Sequence, residues 1–244
     1  MPLDGKPRRR TGGRAIATPV KQRKQPTVAR TAKTAQSWAT DVLRERILLG
    51  LIQPGDRLRQ VEIAAELGLS TTPVRESFRS LATEGLVAID EHRGVVVRKL
   101  TIAECIEMQE LIAVVEPDNL RHAVPLIDEA TLAEADALCR KMSRPDVGNS
   151  YALLNRELHL TLARASGRHR AIALLAELLT LSALHVPSDS TRLPGRRAQS
   201  QREHRALVDA ARAGDGEEAA RVAREHCQPI LNLLRRDLER NRDQ

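Results

Sequence analysis

From residue 36 onward, short amphipathic stretches alternate with turn residues. The first, SWATDVLRERILLGLI, has apolar residues at approximate helical spacing and is followed by QPGDRL, whose Pro and Gly favour a turn. RQVEIAAELGLS predicts a short helix that ends at Gly68, and TTPVRESFRSLATE predicts another that ends at Gly85. LVAID and VVVRKL predict two strands of a hairpin in which Gly94 permits a positive φ. This order predicts a winged helix-turn-helix over residues 36–100.

The rest of the chain, residues 101–244, shows only helical spacing, and no alternating strand pattern competes with it. Turn residues divide it into six predicted helices, over residues 101–123, 128–143, 150–166, 169–186, 197–213 and 216–240. We therefore expect a mainly α protein, in which the winged helix is followed by an antiparallel all-helical bundle.

Positive charge is concentrated at the start of the chain. Residues 1–35 hold ten Lys and Arg and one acid, a net charge of +9, whereas the whole chain has a net charge of +7. This segment is rich in Gly, Pro and Thr and lacks apolar periodicity, so it predicts a disordered basic arm. Two interpretations stay open: the arm lies along DNA phosphates, or it is a solubilising leader.

Composition limits the classes of protein to which the chain can belong. Aromatic residues make up 1% of the chain, so the core must consist of Leu, Ala, Val and Ile, which favours helices packed on helices. Cys105, Cys139 and Cys227 are far apart and form no CxxC motif, which argues against a disulfide scaffold. No apolar run approaches the roughly 20 residues of a membrane span. We expect no membrane association and a cytoplasmic, nucleoid-associated protein.

The third predicted helix of the winged motif, TTPVRESFRSLATE, has its polar residues on one side. With its apolar residues turned to the core, the outer face holds Thr71, Thr72, Arg75 and Arg79. An α-helix fits the major groove, and its N-terminal residues face the base edges. Two arginines on a helix are by themselves more often a solvated face, but the surrounding order of elements favours DNA binding.

Three histidines occur on separate predicted helices of the bundle. They are His159, His204 and His226, and Asn155 lies one turn before His159. Three inward imidazoles and one amide oxygen can hold a divalent metal ion inside a bundle. A single histidine on a helix is more often satisfied by protein groups or turned to solvent, so spacing alone leaves both interpretations open.

The stretch from LRERIL to VVVRKL resembles the winged-helix domain of GntR-family transcription regulators, through PGDRL, IAAELGLS, PVRESF and RGVVV. The resemblance implies DNA contacts from Ser70, Thr71, Thr72, Arg75, Arg79 and Gly94. The chain departs from the family at Thr71 and Val61, where basic residues are frequent. An arginine that pairs with guanine contributes about 1–3 kcal/mol of discrimination, and these two positions cannot supply it.

The bundle resembles the FCD ligand-binding domain of the FadR branch of that family, through NRELHLTLARASG and the later EHRALVDAARAGD. The resemblance implies that residues 101–244 are an effector-binding and dimerisation domain. Many members of that branch bind a metal ion through one Asp or Asn and three His. The resemblance implies that Asn155, His159, His204 and His226 are ligands here, with an amide oxygen in place of the usual carboxylate. Zn or Ni suits three imidazoles.

The expected effector is a small molecule, most simply a carboxylic acid. Carboxylate-sensing members often have an arginine in the first bundle helix, where this chain has Ile112 in QELIAVVEP. Replacement anchors that stay open are Arg121, His122, His185 and Arg192. An apolar wall with a metal ion at its floor predicts a fatty or aromatic acid.

Together these features predict a ligand-responsive DNA-binding transcription regulator, a repressor, that binds a pseudo-palindromic double-stranded operator as a homodimer. The joint between its two parts is expected near Arg98–Ile102. Two alternatives are a metal-dependent enzyme and a sequence-independent nucleic-acid-binding protein. The enzyme would need an inward Glu or Asp as general base near His159, and none is evident from the sequence. The second would bind through the basic arm with a steep salt dependence.

Overall fold

The computed structural model describes residues 34–90, 94–190 and 193–242. The predicted basic arm, apart from its last two residues, lies outside these ranges, and so does Arg192. Within the described part of the chain, no helix is both long enough and apolar enough to cross a membrane.

The N-terminal part is a winged helix-turn-helix. Its elements are α1 (Ala35–Leu48), β1 (Arg57–Leu58), α2 (Gln60–Leu67), α3 (Thr71–Thr83), β2 (Val87–Asp90) and β3 (Gly94–Val97). The three strands are antiparallel in the order β1-β3-β2, with β3 in the centre. The predicted two-strand hairpin is confirmed as β2 and β3. The third strand, β1, was not predicted, because it is only two residues long and lies in the stretch assigned to a turn.

Helix α3 is oriented by its apolar side. Val74, Phe78 and Leu81 are buried at i, i+4 and i+7, so they form one stripe against α1 and α2. Gly68 ends α2 in the left-handed region, with φ of 64°, and turns the chain into α3. A bidentate ion pair between Arg44 of α1 and Glu84, with both N–O distances at 2.6 Å, fastens the end of α3 to α1.

The remaining described residues form a helical bundle. Its helices are α4 (Ile102–Ala123), α5 (Glu129–Met142), α6 (Ser150–Arg164), α7 (His169–Ser190), α8 (Arg196–Arg212) and α9 (Gly216–Arg242), and a 3-10 helix (Val124–Leu126) follows α4. All six predicted segments are helices, and the fold class is confirmed. A capping box between Thr101 and Glu104 starts α4 directly after the sheet. α4 packs along α9, and α5 packs between α6 and α8.

The two parts share α7. Ala183 and Leu184 of this helix are buried in the core of the winged helix. The backbone N–H of Leu100, in the predicted joint, donates a hydrogen bond to His185 Nε2 at 3.0 Å. The amide of Asn149 donates to the carbonyl of Leu49 at 2.7 Å. Division into domains at residues 36–100 and 101–244 therefore stays a prediction.

Candidate functional site

The bundle brings three histidines together in its interior. His159 of α6, His204 of α8 and His226 of α9 have ring centroids 4.8–5.3 Å apart. One nitrogen atom from each lies within 4.8 Å of the others. His159 and His204 are each 1% exposed. Three neighbouring helices thus point imidazoles at one buried location, as their placement in the sequence predicted.

Two carboxylates hold the rings of this cluster. Glu116 of α4 is 1% exposed and contacts Nδ1 of His159, and Glu203 of α8 lies 2.7 Å from Nδ1 of His226. A carboxylate on Nδ1 fixes the proton there and leaves Nε2 of the same ring free to bind a metal ion. The expectation that no inward carboxylate lies near His159 is therefore wrong. Glu116 falls on the buried stripe of Gln109 and Ile112, and that spacing was the signal for it.

A buried arginine also contacts the residues of this cluster. Arg196, at the start of α8, is 5% exposed. Its guanidinium donates to Glu203 at 2.7 Å and to the carbonyl of His226 at 2.9 Å. Sequence reasoning missed this residue because it directly follows a break rich in Pro and Gly, where no helix face could be assigned.

The surroundings favour neutral imidazoles. Burial lowers the pKa of His204 well below its usual value, and the nearby His226, His159 and Arg196 lower it further. Burial is also the largest cause of the lowered pKa of His226. Burial raises the pKa of the Glu203 carboxyl, but its bonds to His226 and Arg196 outweigh this and bring the pKa to about 2. Neutral imidazoles beside the ionised Glu203 carboxylate are the state that binds a metal ion.

One orphaned atom supports metal binding directly. Nδ1 of His204 is buried and has no hydrogen-bond partner among the described residues, and its Nε2 lies 3.5 Å from Ser200 Oγ. A buried polar atom without a partner is costly, and coordination would satisfy it. Metal–nitrogen bonds are about 2.0–2.1 Å long, so two ligands of one ion are at most about 4 Å apart. The three histidine nitrogens lie within 4.8 Å of one another, so the rings need to move only slightly closer to share one ion. The residues therefore fit a divalent ion.

A cavity of about 420 Å³ opens beside the cluster. His159, His226, Glu116 and Asn155 contribute to its lining on the polar side. Apolar lining comes from Ile112, Leu179, Leu193 and Ile230. The role of Asn155 as a fourth ligand stays a prediction.

The lining of the cavity also shows which cations an acid inside it could contact. Among the candidate acid anchors that the structure describes, Arg121, His122 and His185 do not line it. Arg121 pairs with Glu217 at 2.8 Å instead. Arg196 and its neighbour Arg197 do line the cavity, so they are the cations that an acid inside it would meet.

The predicted DNA-contacting residues lie at the start of α3 and on the wing. Ser70, Thr71, Thr72, Arg75 and Arg79 are all exposed. Gly94 begins β3 with φ of 74°, a conformation that suits glycine. Their contact with DNA stays a prediction.

One further cation lies on the same wing. A Cβ on Gly94 would lie 3.6 Å from Nη2 of Arg57, so this exposed arginine of β1 is directly beside the glycine. Arg57 was missed because β1 was missed.

Comparison with known proteins agrees with both halves of the molecule. The family described as bacterial regulatory proteins, gntR family, matches residues 36–97, and the FCD domain matches residues 107–229. A probable D-xylose utilization operon transcriptional repressor of Paenarthrobacter nicotinovorans is 29% identical over 211 residues, covering 82% of this chain and 89% of its own. An uncharacterized HTH-type transcriptional regulator of Streptomyces ambofaciens is 30% identical over 200 residues, covering 80% of this chain and 82% of its own.

A solved structure extends the likeness to the whole fold. A putative GntR transcriptional regulator from Rhodococcus sp. RHA1 superimposes with a TM-score of 0.71 at 26% identity, covering 83% of this chain and 98% of its own. The matched family and relatives are regulators and not enzymes, so the inward Glu116 does not indicate catalysis. The chain belongs to the GntR family of bacterial regulatory proteins and is a DNA-binding transcription regulator with an FCD domain.

Proposed function

We propose that this regulator is a homodimeric repressor that leaves its operator when an organic acid binds in the cavity beside a histidine-bound metal ion. The observation that carries the proposal is the lining of the cavity, which combines histidines of the cluster with apolar side chains. A cavity of about 420 Å³ lies within the range of small-molecule sites, roughly 300–1,000 Å³.

The charges of the site favour an anionic effector. By formal charge, Glu116 and Glu203 exceed the buried Arg196 by one negative charge around the histidines, while Arg197, which also lines the cavity, is exposed to solvent. A divalent ion held by His159, His204 and His226 turns this into an excess of one positive charge, which one carboxylate balances. Three imidazoles suit Zn or Ni. The bound ion would supply an electrophilic centre for the carboxylate of the effector.

The apolar walls favour an effector with a hydrocarbon body. Ile112 is 3% exposed and lines the cavity where an arginine is common in carboxylate-sensing members. A second carboxylate placed against Ile112 and Leu179 would lose its hydration without a partner. We therefore propose an aromatic or medium-chain monocarboxylic acid.

Helix α7 offers a route from the cavity to the DNA-binding part. Leu179, Ser182 and Ala183 line the cavity, and Ser182 accepts a hydrogen bond of 2.9 Å from Gln109, another lining residue. Ala183 also belongs to the core of the winged helix. An effector that moves α7 changes the pose of the winged helix only as far as it binds one pose more tightly than the other.

Homodimer formation is part of the proposal. α4 exposes Leu111 and Val114, and α7, packed against α4, exposes Leu174. Two copies that bury such side chains together would place two recognition helices on a twofold-symmetric operator. On each copy, Ser70, Thr71, Thr72, Arg75, Arg79 and Gly94 would contact DNA, and Arg57 would reach a phosphate beside the wing.

The test combines metal content with operator release. We expect about one zinc or nickel ion per chain by elemental mass spectrometry, and its loss in His159→Ala and His204→Ala. His169→Ala, an exposed histidine at the start of α7, is the matched control and keeps the ion. Benzoate and octanoate should release a selected operator from the metal-loaded protein and not from the chelator-treated protein.

Two results would count against parts of the proposal. Full metal retention in both cluster variants means that the three histidines are not the ligands. Release by short hydroxy acids alone means that the apolar walls do not select the effector.

A further inference from the structure

The DNA-facing surface holds an unusually exposed apolar side chain. Val61, in the first turn of α2, is 72% exposed, the highest value among the large apolar side chains of the described residues. Gln60, directly before it, donates a hydrogen bond of 3.1 Å to the carbonyl of Thr71. This bond joins the N-terminal ends of α2 and α3. Val61 therefore lies beside the start of the recognition helix.

The start of α3 adds two more methyl groups to this edge. Thr71 and Thr72 are both exposed, and Arg75 follows Thr71 by one helical turn and Thr72 by three residues. Val61, Thr71 and Thr72, which we call the methyl edge, thus lie next to the arginine that is expected to face the bases. None of the three brings a charge.

The methyl edge is poorly suited to binding phosphates. Two acids lie close to it, since Glu62 pairs with Arg59 at 2.9 Å, and Glu76 pairs with Arg79 at 2.9 Å and lies 3.7 Å from Arg75. A basic residue at position 61 would attract phosphate, whereas valine forgoes that attraction. Its contribution on DNA must come from apolar contact. In the major groove, the characteristic apolar group of a base edge is the C5-methyl of thymine.

We propose that the methyl edge reads thymine, so that each operator half-site places thymine methyl groups against Val61, Thr71 and Thr72, next to the base pair faced by Arg75. This inference rests on the proposed DNA-contacting surface. Sequence preference then comes from apolar contacts, two of them at positions 61 and 71, where GntR regulators often carry basic residues.

The contact has a measurable size. Burying one methyl-sized group contributes about fourfold in affinity, which is about 0.8 kcal/mol. An operator with two half-sites that lose the same methyl should bind about 15-fold more weakly, because the two contributions multiply.

The experiment removes methyl groups from both partners. Operators are selected from randomised duplex DNA with the purified full-length protein, and each thymine of the selected half-site is replaced in turn by deoxyuridine, which lacks only the C5-methyl. Affinities are measured for wild type, Val61→Ala, Thr71→Ser and Thr72→Ser. Thr→Ser deletes one methyl and keeps the hydroxyl. Leu126→Ala, at a residue of the bundle that is 63% exposed, is the control.

The expected result is specific. At least one deoxyuridine replacement weakens wild type and Leu126→Ala about fourfold per half-site, and one methyl-edge variant has lost that sensitivity. A selected operator on which no replacement matters, or on which every variant keeps the wild-type sensitivity, overturns the methyl edge and leaves the proposed function intact. If no sequence is selected at all, the proposed specific regulator itself has failed.

Discussion

Replacing Glu116 by Gln separates the proposed metal-holding role of this residue from its packing role. Glu116 is almost fully buried on α4 and contacts Nδ1 of His159. Glutamine has nearly the same shape and can still accept a hydrogen bond from that ring, but it carries no charge. The variant therefore keeps the packing of the site and removes the negative charge that makes the His159 ring a stronger metal ligand.

The size of the effect on stability follows from the linkage between metal binding and folding. Changing a group that supports a metal ligand typically weakens metal affinity 10- to 100-fold. With metal in excess, this removes about 1.4–2.7 kcal/mol of the stabilisation that binding gives to the folded state. For a chain of this length, the loss lowers the melting temperature of the metal-loaded protein by about 3–11 °C. Without metal we expect an unchanged or higher melting temperature, because a neutral amide is less costly to bury than a carboxylate.

The assay is calorimetry of wild type and variant, each with excess zinc and with a chelator. Glu110→Gln is the control on the same helix, since Glu110 pairs with Arg235 at 2.7 Å on the surface, with both side chains about half exposed. Such a pair contributes at most about 1 kcal/mol and should respond equally in both states. Should Glu116→Gln shift the two states by equal amounts, as Glu110→Gln does, Glu116 does not support a metal ligand.

Three further outcomes are expected. Phe78→Ala, at a residue 2% exposed in the winged-helix core, should cost about 3–5 kcal/mol of unfolding free energy in urea denaturation, and a loss below 1 kcal/mol would contradict the packing of α3. His185→Leu removes the acceptor of the Leu100 N–H. We expect operator affinity, measured by fluorescence anisotropy, to stay within about threefold, while release of the operator by the effector weakens. Unaltered release would exclude this bond from the coupling. Burial lowers the pKa of His185, His204 and His226, so the folded metal-free protein binds fewer protons than the unfolded chain. Its unfolding free energy should therefore be level above pH 6.5 and fall below it, by up to about 1.4 kcal/mol per pH unit for each imidazole, and a rise on acidification would refute this sign.

The local sequence pattern was sufficient to predict most of the helices, because the signal for each helix lies within that helix and its flanking turns. The helical spacing of 169–186 predicted α7, and the turn at Gly68 predicted the break between α2 and α3. The three histidines could be grouped because each lies in a distinct helix with an apolar stripe, and helices of one bundle turn those stripes inward. Spacing along one helix does not specify which residues of other helices contact these histidines.

The missing parts of the site depend on pairing across elements. Glu116 and Glu203 contact histidines 43 and 23 residues away, and nothing near either glutamate in the sequence specifies that contact. β1 is a strand only because two residues pair with β3, nearly forty positions later. Arg196 owes its burial to α9 packing over the start of α8. Such contacts follow from the assembled fold and not from periodicity.

The joint between the cavity and the winged helix depends on contacts of α7. It includes the bond from Leu100 to His185, worth about 1 kcal/mol. Buried Leu184 adds about 1.5–3 kcal/mol. Leu181 lies against Gly85, just after α3, where a Cβ would meet it at 3.5 Å. With the burial of Ala183 and the bond from Asn149 to Leu49, these contacts together exceed the 1–3 kcal/mol that couples two sites in typical allosteric proteins. An effector that displaces α7 would therefore offset only a part of what holds the winged helix in one pose, and that part sets the largest coupling that the joint can transmit.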